Sequence, residues 1–329
     1  MLTKSAASIL LGLVGPTLCQ LDAVPTGFNT DRWAWVSNEE PLLAVISGQF
    51  NRSVFDTPSA AQVSDSGVAA IILDVRTNNL TKIRTNPPTY NVHGCMYQNG
   101  KLHVVTDGGP DETAYLATVD PNTWERKTVL NNFYERPFMS FNEIEMDCEG
   151  NYYLTDSDSV IDTAWQGRDL NPFRRPTLPT LYFVNGTTLR IKEVALLEGN
   201  TNGVSPSPDG KALYLSNTGA LEVKPSRRNP LGDCDLWAFD FAVSSSGARL
   251  PLLTNQRLLS HPMQYIYDGV RVSNSGLIFG AGGEVVDVLD PESGWTLGSI
   301  RVGGGGNNPV NLAFHQNEIF IVGKGGVWR

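Results

Sequence analysis

A chain of 329 residues that is 41% hydrophobic and 18% charged can bury a sizeable core, which excludes intrinsic disorder. Its formal net charge is −9 and it holds no run of five or six basic residues. Nucleic acid and anionic membrane surfaces are therefore excluded as partners, since both are held by clustered Lys and Arg.

The chain opens as a secretory signal over residues 1–19. Lys4 is the positive end, Ala6 to Leu18 the short apolar stretch, and Thr17 and Cys19 the small residues ahead of a cleavage site before Gln20. The apolar stretch is too short to span a bilayer comfortably. Three sequons agree with export: Asn51-Arg52-Ser53, Asn79-Leu80-Thr81 and Asn185-Gly186-Thr187. Once the signal is removed, Cys95, Cys148 and Cys234 remain. One disulfide is compatible with an oxidising compartment, and the sequence does not choose the pair.

Residues 20–329 read as one domain built from a repeat. A polar turn followed by an alternating apolar run occurs at Asn99-Gly100-Lys101-Leu102-His103-Val104-Val105 and at Glu149-Gly150-Asn151-Tyr152-Tyr153-Leu154. It returns at Asp209-Gly210-Lys211-Ala212-Leu213-Tyr214-Leu215, at Asn274-Ser275-Gly276-Leu277-Ile278-Phe279 and at Gln316-Asn317-Glu318-Ile319-Phe320-Ile321. Pro41 to Ile46 reads as a degraded first copy. After each copy comes a strand, an Asp or Asn turn and another strand, as in Ala117-Thr118-Val119-Asp120-Pro121. Two hairpins repeated every ~40–65 residues predict an all-β, six-bladed β-propeller, with long loops at Thr163–Pro179 and Lys224–Asp233.

Nucleophile elbows, His-Glu-x-x-His, Cys-x-x-Cys and phosphate loops are absent, and the chain has only four His. Asp156-Ser157-Asp158 starts like a calcium loop, but Val160 and Ile161 break the pattern, so it reads as a turn. Four oxygen-bearing residues share one place in the repeat. Glu39, Asn142, Asn202 and Asp268 each stand at or just ahead of an inner strand, about two, one and one blades apart. A closed ring would converge them on the axis as an all-oxygen site for a hard divalent cation such as calcium. A cation also gives neighbouring acids a reason to coexist. Aromatic and imidazole walls for a small molecule could come from Trp33, Trp35, His93, Phe141, Trp165, Tyr265 and Tyr267. His93, Phe141, Trp165 and Tyr265 are the foremost substrate-binding candidates.

Ser140-Phe141-Asn142-Glu143-Ile144, then Asn202-Gly203-Val204-Ser205-Pro206-Ser207-Pro208-Asp209-Gly210, then Tyr267-Asp268-Gly269-Val270 resemble the gluconolactonase / senescence marker protein (regucalcin) family. Within it, the fungal secreted lactonohydrolases are most alike. The resemblance runs from about Glu39 to the C-terminus and is strongest between Leu130 and Gly219. It implies a propeller with one divalent cation, often calcium, held by Glu39, Asn202 and Asp268. Asn142 would touch metal or substrate, and Asp268 would be available as the catalytic base. Ser140 stands where the family often has Arg, Glu143 where it has Asp, and the Glu39 segment lacks the usual Gly-Pro-x-Trp form.

The expectation is a secreted, monomeric enzyme acting on a small molecule, opening lactone or ester rings. An alternative on the same scaffold resembles the fungal hetero-Diels-Alderases of tropolone-sesquiterpenoid pathways, which join a quinone methide to a terpene alkene. That chemistry needs only a shaped pocket. A non-catalytic binding propeller is the third reading.

Overall fold

The computed structural model describes residues 29–30, 43–47, 68–74, 79–90, 92–108, 112–157, 178–223, 226–302, 308–315, 318–324 and 326–329. Among the described residues there are strands and turns and no helix. In chain order the first strands are β1 (Asn29–Thr30), β2 (Leu43–Ser47), β3 (Val68–Asp74), β4 (Asn79–Arg84), β5 (Val92–Gln98), β6 (Lys101–Thr106), β7 (Tyr115–Val119) and β8 (Arg126–Leu130). Next come β9 (Asn132–Phe133), β10 (Arg136–Pro137), β11 (Phe141–Met146), β12 (Tyr152–Asp156), β13 (Thr180–Val184), β14 (Ile191–Leu196), β15 (Thr201–Pro206) and β16 (Ala212–Asn217). The remainder are β17 (Leu221–Val223), β18 (Ser226–Arg228), β19 (Leu236–Val243), β20 (Arg249–Ser260), β21 (Val270–Val272), β22 (Ile278–Gly282), β23 (Val285–Leu289), β24 (Thr296–Arg301), β25 (Asn308–His315), β26 (Glu318–Lys324) and β27 (Gly326–Trp328).

These strands form antiparallel sheets in the orders β1-β5-β6-β7-β8, β11-β12-β13-β14, β15-β16-β19-β20, β21-β22-β23-β24 and β25-β26-β27, with two short ribbons, β9-β10 and β17-β18. The first strand of each meaningful repeat lies innermost: β5 packs on β11, β11 on β15, β15 on β21, and β21 on β25. The tiny β1 adds to the inner edge of β5 and also touches β25. A propeller of blades arranged about an axis results.

The expected count of six blades is corrected. Five sheets follow one another through their inner strands, while a further three-stranded sheet, β2-β3-β4, rests on β5. The sequence contains the reason. In four of the five blades the two innermost strands are joined by a tight turn with glycine in the left-handed region, at Gly100, Gly150, Gly210 and Gly276, and in the fifth only Gln316 and Asn317 separate them. A tight turn of that kind sets hairpin register. The Pro41–Ile46 copy lacks it, and β2 pairs with β3 across residues 48–67 instead.

The outer turns are also legible in the sequence. Asp120, Asn185 and Asp290 each accept backbone N–H bonds from the residues two and three ahead, at 2.7–3.3 Å. Short polar side chains do this readily, which makes them natural turn formers. Between blades the alternating apolar residues interdigitate. Val104, Leu116, Ile144, Leu154 and Tyr182 fill one junction, and Leu181, Val204, Leu213, Leu215 and Phe239 the next. Full burial of each such side chain contributes about 1.5–3 kcal/mol.

Candidate active site on the propeller axis

Four of the five inner strands depart from ideal pairing at the same place. The register slips between Val92 and Gly94 on β5, between Phe141 and Ile144 on β11, between Thr201 and Val204 on β15, and between Pro309 and Asn311 on β25. Bulges of this kind re-aim a side chain. The residues they carry are His93, Asn142, Asn202 and Val310. Asp268 holds the matching place ahead of β21, where its N–H bonds the Ala281 carbonyl at 2.7 Å.

The residue after the bulge lets the blades close up. A methyl group built on Gly203 would lie 2.5 Å from the Asp268 carbonyl oxygen, and one on Gly269 would lie 2.2 Å from the Asn311 side chain. Only glycine permits these approaches. As a result Gly203 N–H donates to the Asp268 carbonyl at 2.9 Å, which ties the Asn202 bulge to Asp268. The Gly94 backbone likewise sits against the Asn142 carbonyl, next to His93.

Beneath this ring lies a buried ionic plug that crosses the axis. Glu143 and Arg271 come from blades that are not neighbours, yet Arg271 Nη2 donates to Glu143 Oε1 at 2.6 Å. Asn311 donates to the other carboxylate oxygen at 2.9 Å, and Glu145 stands 3.7 Å from Arg271. All four side chains are buried. Side chains from three blades thus meet within hydrogen-bond distance, one residue past the ring position for Glu143 and Asn311 and three past it for Arg271.

The ring holds polar atoms that the described residues do not satisfy. Asn142 Oδ1, Asn202 Oδ1 and His93 Nδ1 are buried and have no hydrogen-bond partner among the described residues. Among the described residues the Asn202 side chain makes a single long contact, 3.5 Å from its Nδ2 to Thr218 Oγ1. Leaving a buried acceptor unmet costs about 1–3 kcal/mol. Two orphaned amide oxygens beside a carboxylate form a donor set that fits a hard cation. Asn142 and Asn202 thus stand on inner strands that pack on one another, and the Asp268 backbone is tied to the Asn202 bulge. Among the described residues no group of three His, Cys, Asp or Glu side chains has metal-binding geometry.

Glu39, Trp33, Trp35, Trp165 and Asn51 lie outside the described residues. Phe141 is fully buried in the blade core, its ring 4.4 Å from that of Phe138. Tyr267 also faces the core, donating to Asp287 at 3.0 Å. Tyr265 is half-buried beyond Asp268; its hydroxyl reaches the Ala220 carbonyl at 3.2 Å, and the Arg228 guanidinium lies 4.0 Å over its ring. Asn185 sits half-exposed in its turn, and Asn79 begins β4. Asp156 works as an anchor, its carboxylate accepting the N–H groups of Met139 and Ser140 at 3.1 and 2.8 Å. That fixes the entry to the Asn142 bulge.

Sequence reasoning missed Asp107. It is buried, accepts the Ser140 hydroxyl, and lies 2.6 Å from His93 Nε2. A signal for it existed. In three copies the second strand ends in a polar residue one step past its last pairing partner: Asp107, Ser157 and Thr218. Each reaches a polar side chain of the ring or its rim, at His93, Asn200 and Asn200 again. The Glu143–Arg271–Asn311 plug was missed as well, because Glu143 stands more than a hundred residues from either partner.

Sheet order and strand register together define a propeller with Asn142 and Asn202 at matching bulges of neighbouring inner strands. The SMP-30/Gluconolactonase/LRE-like region model matches residues 73–322, and the chain belongs to that family. It is 30% identical over 266 residues to the lactonohydrolase oryL of Aspergillus oryzae, covering 74% of this chain and 57% of that protein. The chain thus spans little more than half the length of this relative. Among solved structures it resembles the gluconolactonase of Xanthomonas campestris, with TM-score 0.60, 17% identity and 96% of each chain covered. It also resembles the calcium-binding protein regucalcin of Agrobacterium tumefaciens, with TM-score 0.51, 15% identity, and 77% and 73% of the two chains covered.

Proposed function

We propose that this protein is a cation-dependent hydrolase of lactones or related cyclic esters. The observation that carries the reading is the pair of orphaned amide oxygens, Asn142 Oδ1 and Asn202 Oδ1, at matching bulges beside Asp268. Asn142, Asn202 and Asp268 would hold a divalent cation, for which calcium has the preferred chemistry. Glu39 completes the set proposed from sequence. When bound, such a cation supplies Lewis-acid polarisation of a carbonyl oxygen. The chain's own residues then orient the ring, exclude water from the core side and move the proton. The names of the relatives, lactonohydrolase and gluconolactonase, support the substrate class.

Equilibrium dialysis with calcium, run on wild type and on Asp268→Ala, tests the site. The variant should bind the ion at least ~10–100-fold more weakly. Acid release from a simple lactone should stop when the wild type is treated with a chelator. Undiminished hydrolysis by chelated wild type and by Asp268→Ala would remove the cation from the reaction.

Export belongs to the same proposal: a signal over residues 1–19, and glycans at Asn51, Asn79 and Asn185. Protein recovered from the medium of a eukaryotic host should gain electrophoretic mobility after enzymatic deglycosylation. Retention inside the cell with unchanged mobility counts against export.

A further inference from the structure

His93 is placed like the cation donors but differs from them in chemistry. It occupies the β5 bulge that matches those of Asn142 and Asn202, and it is 3% exposed. Its Nε2 lies 2.6 Å from Asp107 Oδ2, inside a buried chain. Asp156 holds the Ser140 backbone, the Ser140 hydroxyl donates to Asp107, and Asp107 takes the imidazole N–H. A carboxylate on Nε2 fixes the tautomer with hydrogen there and leaves the lone pair on Nδ1. That Nδ1 is buried and has no partner among the described residues. A carboxylate committed to a cation has given up much of its basicity, whereas Nδ1 keeps an available lone pair.

We infer that His93 is the general base of this site and that Asp107 and Ser140 are its positioning residues. The inference rests on the lactone-hydrolysis reading and names the group that moves the proton. Nδ1 takes one proton from water. The water oxygen bonds to the ring carbonyl carbon, and the carbonyl π pair moves onto its oxygen. When that pair returns, the ring C–O bond breaks, and the departing alkoxide receives the proton from His93. The product is the hydroxy acid; one water is consumed and no oxidant or reductant is needed. Asp107 stabilises the imidazolium between the two transfers.

The test uses the full chain, a divalent cation and δ-valerolactone as probe. His93→Ala should lose about 10²–10⁴-fold in kcat, with KM and the calcium affinity from calorimetry each within about threefold of wild type. Imidazole added to the buffer should restore part of the rate to His93→Ala and leave wild type unchanged. Asp107→Asn should lower kcat without being rescued. His93→Gln keeps volume and an amide donor toward Asp107, so it covers the case in which alanine fails to fold. The same kcat loss is expected from it, at an unaltered unfolding temperature. If either folded His93 variant keeps wild-type kcat while wild type hydrolyses the lactone, the base assignment is overturned and the hydrolase reading stands. If wild type opens no lactone, the hydrolase reading fails and the inference with it.

Discussion

Replacing Arg271 with methionine should lower the free energy of unfolding by about 3–5 kcal/mol, the largest effect expected of any single substitution outside the hydrophobic core. The guanidinium is 4% exposed and the Glu143 carboxylate it holds is fully buried. Removing the cation takes the guanidinium away from Glu143 and Glu145 together, and the donors that stay, Asn311 to Glu143 and the Met146 N–H to Glu145, carry no charge to replace it. Two neighbouring carboxyls in a dry environment must then take up a proton or draw in water, and either is costly. The companion expectation separates charge from packing. Adding Glu143→Gln to Arg271→Met should recover part of the loss, because the orphaned charge is gone. Urea unfolding of the two single variants and the double variant measures both effects. A loss below about 1 kcal/mol for Arg271→Met would mean that the three blades are held without the plug.

Acidification should weaken the fold through His103, by up to about 3 kcal/mol between pH 6.5 and pH 4. Burial holds this imidazole at about 4, well below its ordinary 6.5. Its surroundings suit only the neutral ring: Nε2–H donates to the Gln98 carbonyl and Nδ1 accepts from the Tyr152 hydroxyl, both at 3.1 Å. The sign follows. Between the two values the unfolded chain binds a proton that the folded chain refuses, so stability rises with pH there. The contribution is complete above 6.5 and is lost as pH falls toward 4. Stability curves for wild type and His103→Gln, which keeps a donor and an acceptor, should diverge in that window and run parallel above it. Parallel curves throughout would show that the ring is protonated in the folded state without penalty.

How much of this was legible in advance depends on the range of the interaction. The hairpin turns were readable because a glycine in the left-handed region or an Asx side chain acts within two or three residues, as at Gly210 and Asp120. The blade count was not readable. Pro41–Ile46 carries the apolar alternation without the tight turn, and alternation alone does not say how a strand joins its neighbours. Asn142, Asn202 and Asp268 could be proposed from the sequence because a repeat places like residues alike. Phe141 and Tyr267, picked as possible pocket walls, pack into blade cores, since flanking a bulge does not settle which face a ring takes.

From the amino-acid order alone came the all-β class, the repeat, the turn positions and the recurrent polar residue at the head of each inner strand, all products of local chain stereochemistry and periodicity. Tertiary structure decided which of those residues meet. His93 and Asp107 meet where the β5–β6 hairpin bulges, whereas Ser140 with Asp107, and Glu143 with Arg271 and Asn311, are paired by blade closure, which makes buried side chains from different blades satisfy one another.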